Sequence, residues 1–71
     1  MFVETTDGNW SNLDRASAIS VKPSSRTPGT WIVVAHYSGS APVLSDGFPS
    51  SELARQWVAD LLEDAYLERV Q

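Results

Sequence analysis

The sequence predicts an α+β fold, in which an antiparallel meander of three to five short strands carries one C-terminal amphipathic helix on one face. Three observations support this. A run of β-branched and aromatic residues over 30–37, bounded by Pro-Gly and Ser-Gly-Ser turns, indicates a central strand. Apolar residues recur at helical spacing after Ser50. The length of 71 residues fits a single small domain, 1–71.

The strands are predicted from short apolar or alternating stretches that turn residues separate. They cover residues 2–6, 9–12, 16–23, 30–37 and 42–45. Asp7-Gly8 is a residue pair preferred at the two positive-φ positions of a type I′ turn, so it predicts a two-residue hairpin. Asp46-Gly47 predicts a turn into the last element.

The third strand shows a clean alternation of polar and apolar residues. We expect Ile19 and Val21 to face the core, while Ala18, Ser20 and Lys22 face the other way. This pattern is typical of an antiparallel sheet with one face in water.

The last element is predicted to be a helix over about 50–68. Ser50 is a good N-cap, because its hydroxyl accepts a hydrogen bond from a first-turn amide, and Glu52 complements the helix dipole. The apolar stripe repeats at three- and four-residue intervals and comprises Leu53, Ala54, Trp57, Val58, Leu61, Leu62 and Ala65.

The central strand is apolar on both of its faces. One face comprises Trp31, Val33, Ala35 and Tyr37, and we expect the helix on it because the small Ala35 leaves room for Trp57. A single helix covers only one face, so Ile32 and Val34, with His36 at the edge, are candidates for an interface on the other. The alternative is that isolated isoleucine and valine side chains on a sheet surface need no partner.

Negative charge is concentrated in the second half of the chain. Residues 1–36 sum to zero charge, and residues 37–71 account for the net charge of −4. Five residues near the helix end are candidates for a surface that docks a basic, partly apolar partner: Asp60, Glu63, Asp64, Leu67 and Val70. The alternative is a frayed, solvated terminus.

The residue content argues against several kinds of chemistry. The chain has no cysteine and one histidine, so we expect no disulfide, no catalytic residues, no metal site and no cofactor. An acidic domain repels phosphate backbones, so direct nucleic-acid binding is not expected. No stretch has the length of a membrane span or the pattern of a signal peptide, and the expected location is the cytoplasm.

The order of turns and core positions resembles that of small uncharacterised proteins of actinobacteria and their phages. The resemblance covers most of the chain and runs through Asp7-Gly8-x-Trp10-x-Asn12-Leu13, Ile19-x-Val21, Gly29-x-Trp31-x-Val33-x-Ala35, Phe48-x-Ser50, Ala54-x-x-Trp57-Val58 and Leu61. It implies a phage or prophage origin, but no activity and no functional residue.

Two functions follow as hypotheses. The first is a small non-enzymatic protein-interaction module that forms a homodimer through the outer sheet face, or binds a protein partner there. It is motivated by the two-sided apolar strand in a chain without disulfide or metal, since small domains often gain stability by oligomerisation. The second is a phage-type inhibitor whose acidic C-terminal helix blocks a basic nucleic-acid-binding surface of a host protein.

Overall fold

The computed structural model describes the backbone of residues 1–70 and the side chains of residues 1–64. It has the predicted α+β architecture, with five strands, one 3₁₀ turn and one helix. In chain order these are β1 (Phe2–Glu4), β2 (Trp10–Asn12), the 3₁₀ turn Leu13–Arg15, β3 (Ala18–Pro23), β4 (Trp31–His36), β5 (Val43–Phe48) and α1 (Ser51–Val70).

The strands form two antiparallel sheets. One contains β3, β4 and β5 in that order, and β1 pairs with β2 in a separate hairpin. Ile19 lies opposite Ala35 and Val21 opposite Val33, so the predicted alternation along β3 is confirmed. The hairpin lies beside β5, where the Thr6 amide donates to the Val43 carbonyl at 3.0 Å.

The first hairpin turn differs from the predicted type I′ turn. Gly8 has φ +88°, whereas Asp7 stays at negative φ. The Gly8 amide donates to the Thr5 carbonyl, and the Thr5 amide donates to the Asn9 carbonyl. These bonds describe a longer loop with glycine in the left-handed position. The Asp7 carboxylate accepts hydrogen bonds from Thr5 and Asn9 on either side of it in this loop.

The prediction that β5 ends at Ser45 before a turn was wrong. Its pairing with β4 is irregular on both sides of Val33, so β5 contributes extra residues and continues through Asp46 and Gly47 to Phe48. Gly47 takes φ +78° within this irregular stretch. Bulges bend a strand and let it continue, and a short sequence motif does not distinguish a bulge from a turn.

The helix packs on the face of the sheet that was predicted to hold it. Ser50 caps it as expected, since its Oγ accepts from the Leu53 amide at 3.2 Å. Val33, Ala35, Leu44 and Ala54 are the buried centre of the core. Partly buried apolar side chains surround that centre: Val3, Leu13, Ala16, Ile19, Val21, Trp31, Tyr37, Phe48, Trp57, Val58 and Leu61.

Two members of the predicted apolar stripe lie at its margins. Leu53 is 52% exposed and Leu62 is 49% exposed. The two leucines are nine residue steps apart, and at about 100° per step their side chains point about 180° apart around the helix axis. Ala54 and Leu61 point between these two directions and face the sheet. The leucines therefore flank the buried stripe on opposite sides.

Candidate interaction surfaces

Ile32, Val34 and His36 share the sheet face opposite the helix. Val34 pairs with Ser20, while Ile32 and His36 lie two residues before and after it on β4. The sequence predicted an interface here, with Ile32 and Val34 at its centre and His36 at its edge.

Val34, predicted as a central residue of that interface, is not accessible in the single chain. Its side chain is only 2% exposed in the single chain. Val34 lies mid-strand, with Ser20 opposite it on β3 and Val43 opposite it on β5, so neighbours enclose it on both sides. A charged substitution there therefore tests folding, because an unpaired buried charge is strongly destabilising.

A cleft of about 440 Å³ occupies one end of this face, and we call it the outer cleft. Ile32 and Val43 supply its apolar lining, and the loop between β3 and β4 supplies much of the rest. Its lining residues are Thr6, Ser24, Ser25, Arg26, Thr27, Thr30, Ile32, Val43, Asp46 and Gly47. This end of the face is therefore concave, with polar and apolar groups lining it in similar measure.

His36 is held by a hydrogen bond across the strands. Its Nε2 lies 2.7 Å from the Ser20 Oγ. A serine–histidine contact is one part of a nucleophilic site, which also needs a group that orients the imidazole and a pocket for substrate. Neither of these two side chains lines the outer cleft. We therefore interpret the Ser20–His36 hydrogen bond as a cross-strand contact on the outer face of the sheet.

The acidic candidates Asp60, Glu63 and Asp64 are exposed on α1. The Asp60 carboxylate accepts a hydrogen bond from the side-chain amide of Gln56, Nε2, at 2.9 Å. None of the three has an ion pair with a side chain in residues 1–64. The other two candidates, Leu67 and Val70, have side chains outside the described residues.

The tip of the first hairpin contains a compact polar network. The Thr5 hydroxyl donates to the Asp7 carboxylate, and the Asn9 side-chain amide donates to its second oxygen at 3.2 Å. The Thr5 hydroxyl bond lowers the pKa of Asp7, because it stabilises the charged form. The network fixes the loop, and its carboxylate needs no ligand to be satisfied.

One free strand edge was missed by the sequence reasoning. The Ser24 amide donates to the Thr30 carbonyl at 2.9 Å, and bonded positions recur at every second residue of an antiparallel ladder. Ser20 therefore bonds toward β4, whereas the main-chain groups of Ile19 and Val21 point away from it. Within residues 1–70, β3 pairs with β4 alone, so this edge has no strand partner.

An apolar groove of about 320 Å³ lies beside that edge, and we call it the β3 groove. It runs between the helix, the 3₁₀ turn and the start of β3. Leu13, Ala16, Ser17, Ala18, Ile19, Val58 and Leu62 line it. Leu62, half exposed, is thus next to the free edge, while Leu53 is on the other side of the helix. Strand order decides which edge is free, and no sequence pattern in this chain reports it.

A third exposed apolar feature is on the first hairpin. Phe2 and Trp10 are each more than half exposed. The register pairs Phe2 with Asn12 and Trp10 with Glu4, so all four side chains share one face of the hairpin. Val3 points to the other face and packs against the core.

The described part of the chain has no group of three or more histidine or acidic residues arranged to hold a metal ion. No helix within residues 1–70 combines the length and apolarity that a membrane crossing requires. Comparison with protein-family models, with curated proteins and with solved structures found no match to this chain.

Proposed function

We propose that this protein is a small non-enzymatic interaction module that self-associates through the free edge of β3 and the β3 groove. The observation that carries the proposal is the juxtaposition of these two features. A free edge offers unpaired N–H and C=O groups, and an adjoining apolar surface adds hydrophobic burial to any strand that pairs there. Cytoplasmic location and phage origin belong to the same proposal, and rest on the cysteine-free composition and the resemblance.

The surface differs from the one expected from the sequence. The outer face was expected to carry the interface through Ile32 and Val34, but Val34 is enclosed within the single chain. The apolar surface that remains accessible next to main-chain hydrogen-bonding groups is on the β3 side. The proposal therefore keeps self-association and moves it from a sheet face to a sheet edge.

The first hairpin is a weaker candidate for this role. Phe2 and Trp10 are exposed, and aromatic residues are frequent at the centres of interfaces. Glu4 and Asn12 occupy the other two positions of that face, however, and neither aromatic residue lines the outer cleft or the β3 groove. The β3 side combines main-chain groups, concavity and apolar lining in one place.

The test compares two leucine substitutions on opposite sides of the helix. Light scattering after size exclusion, at high micromolar concentration, should give a dimer mass for the wild type and for Leu53→Glu. Leu62→Glu should weaken association by roughly tenfold or more, because burying a leucine contributes about 1.5–3 kcal/mol and about 1.4 kcal/mol is tenfold.

The two variants are matched, since both replace a half-exposed leucine of α1 with the same charge. Circular dichroism of both checks that the fold is retained. A wild-type chain that stays monomeric over the whole concentration range would overturn the proposal. If Leu53→Glu and Leu62→Glu weakened self-association equally, the β3 groove would have no part in the interface.

A second candidate function is the inhibitor whose acidic helix blocks a basic nucleic-acid-binding surface. The observation that favours it is the exposure of Asp60, Glu63 and Asp64 without an ion pair in residues 1–64. Asp60 lies three and four residues before Glu63 and Asp64, and like charges at this helical spacing destabilise a helix by about 0.2–0.5 kcal/mol per pair. A cationic partner surface would relieve that cost.

Capture of basic proteins from a host lysate tests this candidate. Retention should fall as salt is raised and should be lost in the double variant Glu63→Lys/Asp64→Lys. The control Glu4→Lys/Asp46→Lys changes the net charge equally at other sites and should retain capture. Equal recovery by both double variants would count against a role for the helix.

A further inference from the structure

We infer that two copies pair through β3 in antiparallel register, with a twofold axis at Ser20, to form one continuous six-stranded sheet. This inference rests on the proposed self-association and adds the partner's position to it.

The free stretch of β3 is short and has a defined end on each side. Ile19 and Val21 direct their N–H groups away from β4. The next outward position is Pro23, which has no N–H to donate. On the other side, the Ser17 amide already donates to the His36 carbonyl at 2.8 Å. The available donors are therefore two amides placed symmetrically about Ser20.

An antiparallel second copy satisfies both donors. Ile19 of one copy forms two main-chain hydrogen bonds with Val21 of the other, one through its N–H and one through its carbonyl. The twofold axis gives the same two bonds between Val21 of the first copy and Ile19 of the second. Four N–H···O=C bonds result. If Val21 of one copy lay opposite Val21 of the other, Ile19 would lie opposite Pro23, which has no N–H to donate. If Ile19 of one copy lay opposite Ile19 of the other, Val21 would lie opposite Ser17, whose N–H already donates to the His36 carbonyl of its own chain.

The side chains in this register are compatible on both faces. On the helix side, Ile19 lies opposite Val21 of the second copy, which is a cross-strand pair of two β-branched apolar residues. On the outer side, Ser20 lies opposite Ser20 and Ala18 opposite Lys22. No like charges are brought together. The pairing also continues the pattern inside the chain, where Ile19 and Val21 face the core and Ala18, Ser20 and Lys22 face out.

The second copy is favoured over an unrelated extended peptide by this symmetry. A foreign strand would need only the free donors and acceptors. Here the donors, the two positions that bound them and the apolar pair are all arranged about one residue, as an isologous interface requires. The same axis brings the β3 grooves of the two copies to one side of the joined sheet.

Cysteine trapping at Ser20 tests the register, because the chain has no cysteine of its own. In the inferred register Ser20 of one copy lies opposite Ser20 of the other. The two residues form a non-hydrogen-bonded pair of the antiparallel ladder, in which the Cα atoms lie about 4.5 Å apart. That separation is within the range of about 4.4–6.8 Å that a disulfide spans. Mild oxidation of Ser20→Cys at high micromolar concentration should give mostly a covalent dimer on a non-reducing gel.

Two further variants make the result specific. Ala18→Cys alone should stay monomeric on the gel, since Ala18 lies opposite Lys22. The double variant Ala18→Cys/Lys22→Cys should be trapped, and it leaves the Ser20–His36 hydrogen bond intact in case Ser20→Cys perturbs the fold. Trapping by both Ser20→Cys and the double variant, with none by Ala18→Cys, supports the inference.

Other outcomes separate the inference from the proposed function. A wild-type chain that is dimeric by light scattering, in which neither Ser20→Cys nor the double variant is trapped, overturns the register and leaves self-association standing. Trapping of Ala18→Cys alone as efficiently as Ser20→Cys overturns the register as well. A wild-type chain that is monomeric throughout overturns both.

Discussion

Asp7 shows how single side chains fix the first hairpin. Its carboxylate accepts hydrogen bonds from Thr5 and from Asn9, and Gly8 supplies the positive φ that lets the chain reverse. The Asp-Gly pair was recognised from the sequence as a turn, but the turn type was not. An Asp-Gly pair fits more than one kind of turn, so the pair alone does not specify which residues take positive φ.

The lowered pKa of Asp7 predicts a pH dependence of the hairpin. Because the folded pKa lies below the unfolded one, the bonds stabilise the fold above the unfolded pKa. That stabilisation is lost as the pH falls through the folded pKa. An NMR titration of the carboxyl carbon should give a pKa for Asp7 below the ordinary aspartate value, and Thr5→Val should raise it.

The control for that titration is Thr6→Val, which changes a neighbouring exposed threonine whose hydroxyl has no described bond to Asp7. It should leave the pKa of Asp7 where it was. If Thr5→Val and Thr6→Val shift the pKa equally, or if neither does, the Thr5 hydroxyl is not the cause of the lowered pKa.

Val34 is the residue at which prediction from sequence failed with the largest consequence. A β4 strand with apolar residues on both faces was read correctly, and the helix was assigned to the correct face. The enclosure of Val34 depends on Ser20 and Val43, which neighbouring strands place opposite it. Which residues are cross-strand neighbours is set by the register between strands. The register between β4 and β5 is irregular because of bulges, so it could not be predicted from the sequence.

At the scale of elements, α1 is the part of the fold that the sequence predicts best. Helical spacing of apolar residues and a capping serine are local signals, so they can be read without knowing the rest of the fold. The exposure of Leu53 and Leu62 was not predicted. It depends on how wide a strip of the helix the three-stranded sheet covers.

The cap predicts a measurable loss of stability at Ser50. Ser50→Ala removes the oxygen that accepts from the Leu53 amide and should lower the free energy of unfolding by about 1 kcal/mol, within a range of about 0.5–2. Urea denaturation measures this change. Ser51→Ala, one residue further on, introduces a better helix former and should stay within about 0.5 kcal/mol of the wild type. Equal losses for the two variants would contradict the assignment of Ser50 as the cap.

At the scale of the whole molecule, the two edges of the main sheet are treated differently. The hairpin of β1 and β2 lies against β5 and bonds to Val43 through Thr6. Among residues 1–64, whose side chains the structure describes, no strand or hairpin covers the β3 edge in this way, although Pro23 limits the length of that edge. Proteins commonly either protect a free sheet edge or use it to pair with another strand. The β3 groove next to this edge favours pairing.

Amide hydrogen exchange resolved by residue tests the central claim, self-association through the β3 edge, most directly. Ile19 and Val21 direct their N–H groups to the free edge, and Ser20 between them bonds toward β4 in the single chain. We predict that protection of Ile19 and Val21 rises steeply from low to high micromolar protein concentration, while protection of Ser20 is already present at the lowest. Exchange of Ile19 and Val21 that stays fast and independent of concentration would contradict the account.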